Sequence, residues 1–335
     1  MPQKNRYSRQ LLVPQFGSEG QKRIHSAKVL IVGVGGLGCQ IAAQLAGAGV
    51  GTLVLVDHDL VSISNLHRQI LFREPDIGKS KALVAQRELQ ALNSDIMVKG
   101  THKRLTPDSI DRLLETATLV VDAADNFATS YLISDACHTR KLPMVSASVN
   151  RSFGFVGVFC GLSTTGQTTP SFRALFAKLP KEQLSCDTVG VTGPSVGIIA
   201  NIQAQESLKV ILADPHALFG KLLYADLWQY NLHTIDFSKA KEPSGAQIKI
   251  ISQSQLDEND IVIDVRSQEE IKEQPQPFPV TLEIPMQQIG LNTINLCETQ
   301  RVVCVCASGQ RALIAAQQIK QHGHNKVAAL LPNSE

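Results

Sequence analysis

Val29-Leu30-Ile31-Val32-Gly33-Val34-Gly35-Gly36-Leu37-Gly38 is an apolar, β-branched run that breaks into a glycine-rich turn, and its reading decides the fold. Residues 29–32 have the character of a buried strand. Gln40 to Ala48, small and apolar, has that of a helix packed on a sheet. The glycines therefore sit in a strand-to-helix turn. Such a turn needs glycine for positive φ and for close backbone approach to a phosphate, whose charge meets the free N–H groups and positive end of the helix. Asp57 follows at the end of Leu53-Val54-Leu55-Val56, where a carboxylate holds ribose hydroxyls.

Those features fit a nicotinamide enzyme as well as an ATP enzyme, because Gly33, Gly35 and Gly38 also satisfy the looser dinucleotide pattern. The cations beyond Asp57 separate the two readings. Arg68 lies in the polar pentad Asn65-Leu66-His67-Arg68-Gln69, Lys79 and Lys81 lie in Gly78-Lys79-Ser80-Lys81, and Arg9 stands upstream in Arg6-Tyr7-Ser8-Arg9-Gln10. A triphosphate carries more charge than a pyrophosphate, and an adenylation must also stabilise charge developing on the leaving pyrophosphate.

Further out, strands near 29–34, 52–57 and 118–122 alternate with helical stretches, the pattern of βαβ units and a mainly parallel sheet. Apolar runs at 144–148 and 154–160 extend that sheet, Pro194 to Leu212 reads as an amphipathic helix, and Leu222 to Trp228 as another strand. Between Asp236 and Gln247 the chain becomes polar and rich in breakers. The expected organisation is an α/β adenylating domain at 1–236, a flexible linker at 237–247 and a small α/β domain at 248–335, brought to the first by swinging of that domain or of a partner's tail.

With 335 residues, 43% hydrophobic and 19% charged, the chain buries a full core and holds two domains. A net charge of +2 offers no field for nucleic acid or membrane. No apolar run reaches spanning length, and the polar start Met1-Pro2-Gln3-Lys4-Asn5-Arg6 is no secretory signal, so a cytoplasmic protein is expected. Seven cysteines spread widely argue for reduced thiols rather than a disulfide framework.

The first domain resembles the bacterial ubiquitin-activating-like adenylyltransferases that act on small sulfur-carrier proteins in molybdopterin and thiamine biosynthesis. The Arg-Tyr-Ser-Arg-Gln start, the glycine loop, Val56-Asp57-His58-Asp59, the pentad, Lys81 and Asp122-Ala123-Ala124-Asp125-Asn126 occur in that family's order between Arg6 and Trp228. The resemblance implies a Rossmann-like fold and an ATP site of Gly33, Gly35, Gly36, Gly38, Asp57, Asp59, Asn65, Arg68, Gln69, Lys81 and Asp125. Within it Asp57 binds ribose, Asn65, Arg68 and Lys81 the phosphates, and Asp125 the magnesium. It also implies a homodimer in which Arg9 reaches the partner's site, and a carrier ending in Gly-Gly as substrate. Cys186, before Gly190-Val191-Thr192-Gly193-Pro194, has two readings: a covalent link to the carrier, or a loop cysteine with no chemistry. Relatives usually hold structural zinc in two Cys-x-x-Cys pairs. Here Ser171 and Ala174 stand at the first pair and the linker has no cysteine, which implies a zinc-free variant.

In the second domain, Ile261 to Val265 is a buried strand ending in the charged pair Asp264 and Arg266. Arg301 to Val305 runs into Cys306-Ala307-Ser308-Gly309-Gln310-Arg311 and a helix. A cysteine between a strand and a helix N-terminus, with Arg311 beside it, lies where backbone N–H groups stabilise an anion on sulfur. Together with Glu270, this loop of Cys306, Gly309 and Arg311 resembles a rhodanese domain whose cysteine carries a persulfide, fed by a sulfur donor such as a cysteine desulfurase. Two departures, at Gln274 to Pro285 and at Leu331-Pro332-Asn333, leave both an active and a weakened sulfurtransferase as readings. Cys39, Cys137, Cys160 and Cys304 read as packing residues, His67 as a spacer, and His322 and His324 as members of a solvated turn. Two other functions fit the first domain: ATP-dependent adenylation of a small molecule or a modified tRNA, and nicotinamide binding.

Overall fold

A computed structural model describes residues 6–179, 190–245, 247–289 and 299–332. Helix α1 (Gly17–Ser26) precedes β1 (Lys28–Val32), α2 (Gly36–Ala48), β2 (Thr52–Asp57), α3 (Lys81–Leu92), β3 (Met97–His102), α4 (Pro107–Leu114), β4 (Leu119–Asp122), α5 (Phe127–Arg140) and β5 (Met144–Asn150). Next come β6 (Phe153–Phe159), the short α6 (Phe172–Leu175), α7 (Gly193–Leu212), β7 (Lys221–Asp226) and β8 (Asn231–Asp236). These strands form one sheet in the order β3-β2-β1-β4-β5-β6-β7-β8. It is parallel from β3 to β5 and antiparallel beyond, a Rossmann-like arrangement extended at one edge.

Chain order reverses at β1, whose neighbours are β2 and β4, the kind of switch point beside which open α/β sheets bind ligands at the carboxyl ends of their strands. Register brings three strand ends together: Val32 lies opposite Val56 on one side and Asp122 on the other. Alternation along β1 sends Val29 and Ile31 into one core and Leu30 and Val32 into the other. Local signals place the helices. Ser80 caps α3 by accepting the Leu83 N–H, Asn126 caps α5 at Thr129, Thr192 caps α7 at Ser195, and Gly49 closes α2 in the left-handed region.

A second sheet follows, all parallel, in the order β11-β10-β12-β13-β9. Its elements are β9 (Lys249–Ile251), β10 (Ile261–Asp264), α8 (Gln268–Glu273), β11 (Leu282–Glu283), β12 (Val302–Val305), α9 (Gln310–Gln321) and β13 (Val327–Leu330). It does not hang free. Ile263, Val302, Cys306 and Leu313 of this unit belong to the same buried apolar cluster as Leu30, Val120, Ala128 and Ile133 of the first.

The stretch joining the units, expected to be flexible, is fastened. Phe237 is buried and stacks on Phe159 at 4.8 Å between ring centroids. The Glu242 carboxylate accepts the Ser171 N–H at 2.8 Å and its hydroxyl at 2.6 Å. Arg173 pairs with Asp135 at 2.7 Å, lies over the Tyr131 ring and donates to the Ile248 carbonyl.

Some elements differ from expectation. Strand β3 exposes Lys99 and breaks its apolar pattern at Gly100, and every residue of β8 is exposed, so neither carries a strong periodic signal. Strand β7 stops at Asp226 because its carboxylate accepts the Trp228 and Gln229 N–H groups, turning the chain and leaving Trp228 80% exposed. His324, expected in solvent, is buried against the Gln300 carbonyl.

Candidate active site

The glycine turn is shaped by contact. Gly33 has φ +90°, and a Cβ there would meet the Ala123 carbonyl oxygen at 2.5 Å; at Gly38 it would stand 2.0 Å from the Gly33 oxygen. Strand β1, the loop after β4 and helix α2 therefore close to backbone distance, and Gly35 and Gly36 begin α2 at the carboxyl ends of the strands. Arg68 lies beside the turn, its Cγ 3.5 Å from where a Cβ on Gly36 would stand, and donates to the Ser64 carbonyl at 3.0 Å. The Asn65 carbonyl, ending a short 3-10 turn, accepts the N–H groups of Arg68 and Gln69. Gln69 is buried beside the turn, and its Oε1 has no hydrogen-bond partner among the described residues.

Asp57 ends β2 and is buried. Its carboxylate accepts the Val34 N–H at 2.6 Å and the Asp59 N–H at 2.7 Å, so it braces the turn from below. Burial pushes this carboxyl up, against the pull of Lys81. Lys81, the first residue of α3, is itself buried and donates to Asp59 at 2.8 Å. Burial raises Asp59 too, but the Lys81 charge and hydrogen bond win and leave it below the usual carboxylate range. Asp57, His58 and Asp59 present ligand atoms within 4.8 Å of one another. Asp125, between β4 and α5, is exposed and accepts from the Asn126 amide at 3.3 Å.

Two further residues shape this neighbourhood: Arg104, outside any motif, and Asp122, which opens the Asp122 to Asn126 motif. Arg104, just beyond β3, lies in the field of Asp59, Cys306, Asp125 and Asp57, and burial pulls its pKa down. Asp122, enclosed by Ser146, whose hydroxyl donates at 2.8 Å, is pushed up to about 6 by burial. Gln203 of α7 spans the Asp122 and Val145 carbonyls at 2.9 Å each, fixing the strand ends. Recognising β3 from sequence would have placed Arg104 at a strand end like Asp57.

Arg9 is not brought to this cluster. Its segment packs at the far end of α2, where Gln10 donates to the Ala48 carbonyl, a helix of 13 residues and hence about 20 Å from the glycine turn. Cys186 lies outside the described residues.

The Cys306 loop is also ordered by its neighbours. Cys306 is fully buried, and its Sγ accepts the Ala312 N–H at 3.3 Å. Gly309, at φ +83°, opens α9. Arg311 makes a two-pronged pair with Glu270 at 2.6 and 2.7 Å, which holds that carboxyl down at about 2. Asp264 and Arg266 form a buried pair at 2.7 Å behind the loop. Cys39, Cys137, Cys160 and Cys304 are all buried, as packing residues are.

Residues 7–246 match the ThiF family model. The chain belongs to the ThiF family. ThiF-family relatives include the sulfur carrier protein adenylyltransferase of Thermus thermophilus, 42% identical over 224 residues, 66% of this chain and 83% of that one. The adenylyltransferase and sulfurtransferase MOCS3 of Culex quinquefasciatus is 42% identical over 223 residues, 66% of this chain and 50% of the relative; the chain thus spans about half the length of such two-activity relatives. Among solved structures, E. coli MccB with ATP is similar at a TM-score of 0.60 and 25% identity, over 70% of this chain and 72% of that one. The ThiF-family match ends at 246, before β9 begins at Lys249.

Proposed function

We propose that this chain adenylates the C-terminal Gly-Gly carboxylate of a small ubiquitin-like sulfur-carrier protein with ATP, and that a persulfide on Cys306 then delivers sulfur to the activated carbonyl. The observation that carries the reading is the pairing of a buried Lys81 with Asp59 beside the Gly33 to Gly38 turn. A cation enclosed at a phosphate-binding turn has its charge strengthened by the low surrounding dielectric, and its carboxylate partner yields when a polyphosphate arrives.

In this reading the N–H groups opening α2 and the side chains of Asn65, Arg68 and Lys81 hold the triphosphate, and Asp57 holds the ribose. Gln69 offers at the same turn its Oε1, which has no partner among the described residues. Asp125, exposed and supplying hard oxygen, fits a magnesium ion that arrives with the nucleotide and supplies charge neutralisation. The carrier carboxylate attacks the α-phosphorus, and pyrophosphate departs with the bond's electron pair. Arg9, remote from its own site, would serve the partner's site in a homodimer.

The acyl-adenylate and the persulfide are electrophile and nucleophile of one reaction. The terminal persulfide sulfur forms a bond to the acyl carbon, the carbon–oxygen bond to phosphate breaks, and AMP leaves with the pair. A thiol reductant then attacks the Cys306 sulfur, releasing the thiocarboxylate and forming a mixed disulfide that a second thiol reduces. The sulfur would come from a donor such as a cysteine desulfurase.

Pyrophosphate exchange into ATP tests the first half. The expected exchange depends on a carrier ending in Gly-Gly and is lost in Arg68→Ala and Asp125→Ala. Exchange without a carrier would favour a small-molecule or tRNA substrate instead.

A further inference from the structure

Two helix N-termini face each other across the two units. Helix α5 begins two residues after Asp125, and α9 begins at the loop that carries Cys306. Gln310, the first residue of α9 and 4% exposed, reaches across the gap: its Oε1 accepts the N–H of Phe127, the first residue of α5, at 2.8 Å. Beside it the backbones press close, since a Cβ at Gly309 would lie 3.4 Å from the Ala128 Cβ. At the rim of the same seam, Ser252 and Ser254 donate to Asp108 at 2.8 and 2.9 Å. Cys306 thus shares a buried cluster with Ala128, and Arg104 lies in the field of both its sulfur and the carboxylates of the nucleotide site.

Phe127 needs an acceptor because the first N–H groups of a helix have none within it. Asn126 answers the Thr129 N–H, which leaves Phe127 to be met from outside, and the group that meets it comes from the sulfur-carrying loop. We propose that Gln310 is a positioning residue for sulfur transfer: it holds the Cys306 loop against the nucleotide site, so that persulfide and acyl-adenylate meet without the second unit leaving the first. This inference rests on the proposed function for the identity of the two reactants. The docking role itself rests on geometry alone.

The test uses the full chain carrying Gln310→Met, which keeps the length and removes the acceptor, and Gln310→Asn, which keeps the amide but falls a methylene short. Four quantities are read: iodoacetamide labelling of Cys306 by peptide mass, Cys306 persulfide after loading with inorganic polysulfide, carrier-dependent pyrophosphate exchange, and single-turnover thiocarboxylate formation on a ubiquitin-like carrier ending in Gly-Gly. Labelling is expected to be severalfold faster than in the unaltered chain, loading and exchange unchanged, and thiocarboxylate formation slower by roughly tenfold to a hundredfold, the cost of misplacing a reacting group. Unchanged labelling and unchanged transfer would overturn the inference, and so would exchange that falls in step with transfer. Should Gln310→Met fail to fold, Gln310→Asn answers the same question. If labelling accelerates but even the unaltered chain makes no thiocarboxylate, the proposed function fails while the docking role stands.

Discussion

Asp57 and Asp122 end the strands on either side of β1 and are both pushed above the ordinary carboxylate range by burial, yet they serve the site differently. Asp57 braces the turn through two backbone N–H groups, whereas Asp122 faces Ser146 in an enclosed space. A carboxyl raised from 3.8 to about 6 favours the folded state fully below pH 3.8 and loses that contribution as pH rises through about 6, a difference of roughly 3 kcal/mol. Asp122→Asn, which stays neutral, should therefore gain on the unaltered protein by up to about that amount between acid and neutral pH, read from urea denaturation at both. Lys81→Met should lower pyrophosphate exchange by about a hundredfold or more while the fold persists, because it removes a charge from the phosphate turn; activity within a few-fold of normal would count against its role. Asp57 and Lys81 were legible because strand ends and cation spacing are written in sequence. Arg104 and Gln310 were not: Arg104 follows a strand with a weak pattern, and Gln310 meets Phe127 across a seam that no local pattern describes.

Helices and turns carry the next level of the account. The strand-to-helix turn was readable because only glycine fits where β1, β4 and α2 meet, and glycines are visible in a sequence. The junction at 237–247 was harder. Its breakers suggested a loose tether, but Phe237, Glu242 and the residues they grip, Phe159 and Ser171, are distant in sequence. Ser171, at the position the resemblance marks for a zinc-binding pair, is tied to the junction by the Glu242 carboxylate. Glu242→Ala should remove both bonds, cost about 1–3 kcal/mol and lower the melting temperature by several degrees. Adding zinc should restore none of it; restoration by zinc would show that an ion shares the clasp.

In the whole molecule, two sheets are joined by one apolar cluster running from Leu30 to Leu331, where composition leads to an expectation of two units. Burial shared across a boundary makes unfolding cooperative, so calorimetry of the full chain should give one transition, and removing residues 248–335 should lower it and promote self-association through the uncovered face. Two separate transitions would mean that the units are independent. The same docking places the Cys306 loop beside the first turn of α5, and with it the proposed sulfur delivery beside the proposed activation. The most direct measurement is the intact mass of a Gly-Gly carrier incubated with magnesium, ATP, a thiol reductant and the persulfide-loaded chain. The carrier is expected first to gain AMP and then to exchange one oxygen for sulfur, with the second change absent in Cys306→Ala. A carrier whose mass stays unchanged in the presence of folded, ATP-supplied protein would contradict the proposed function.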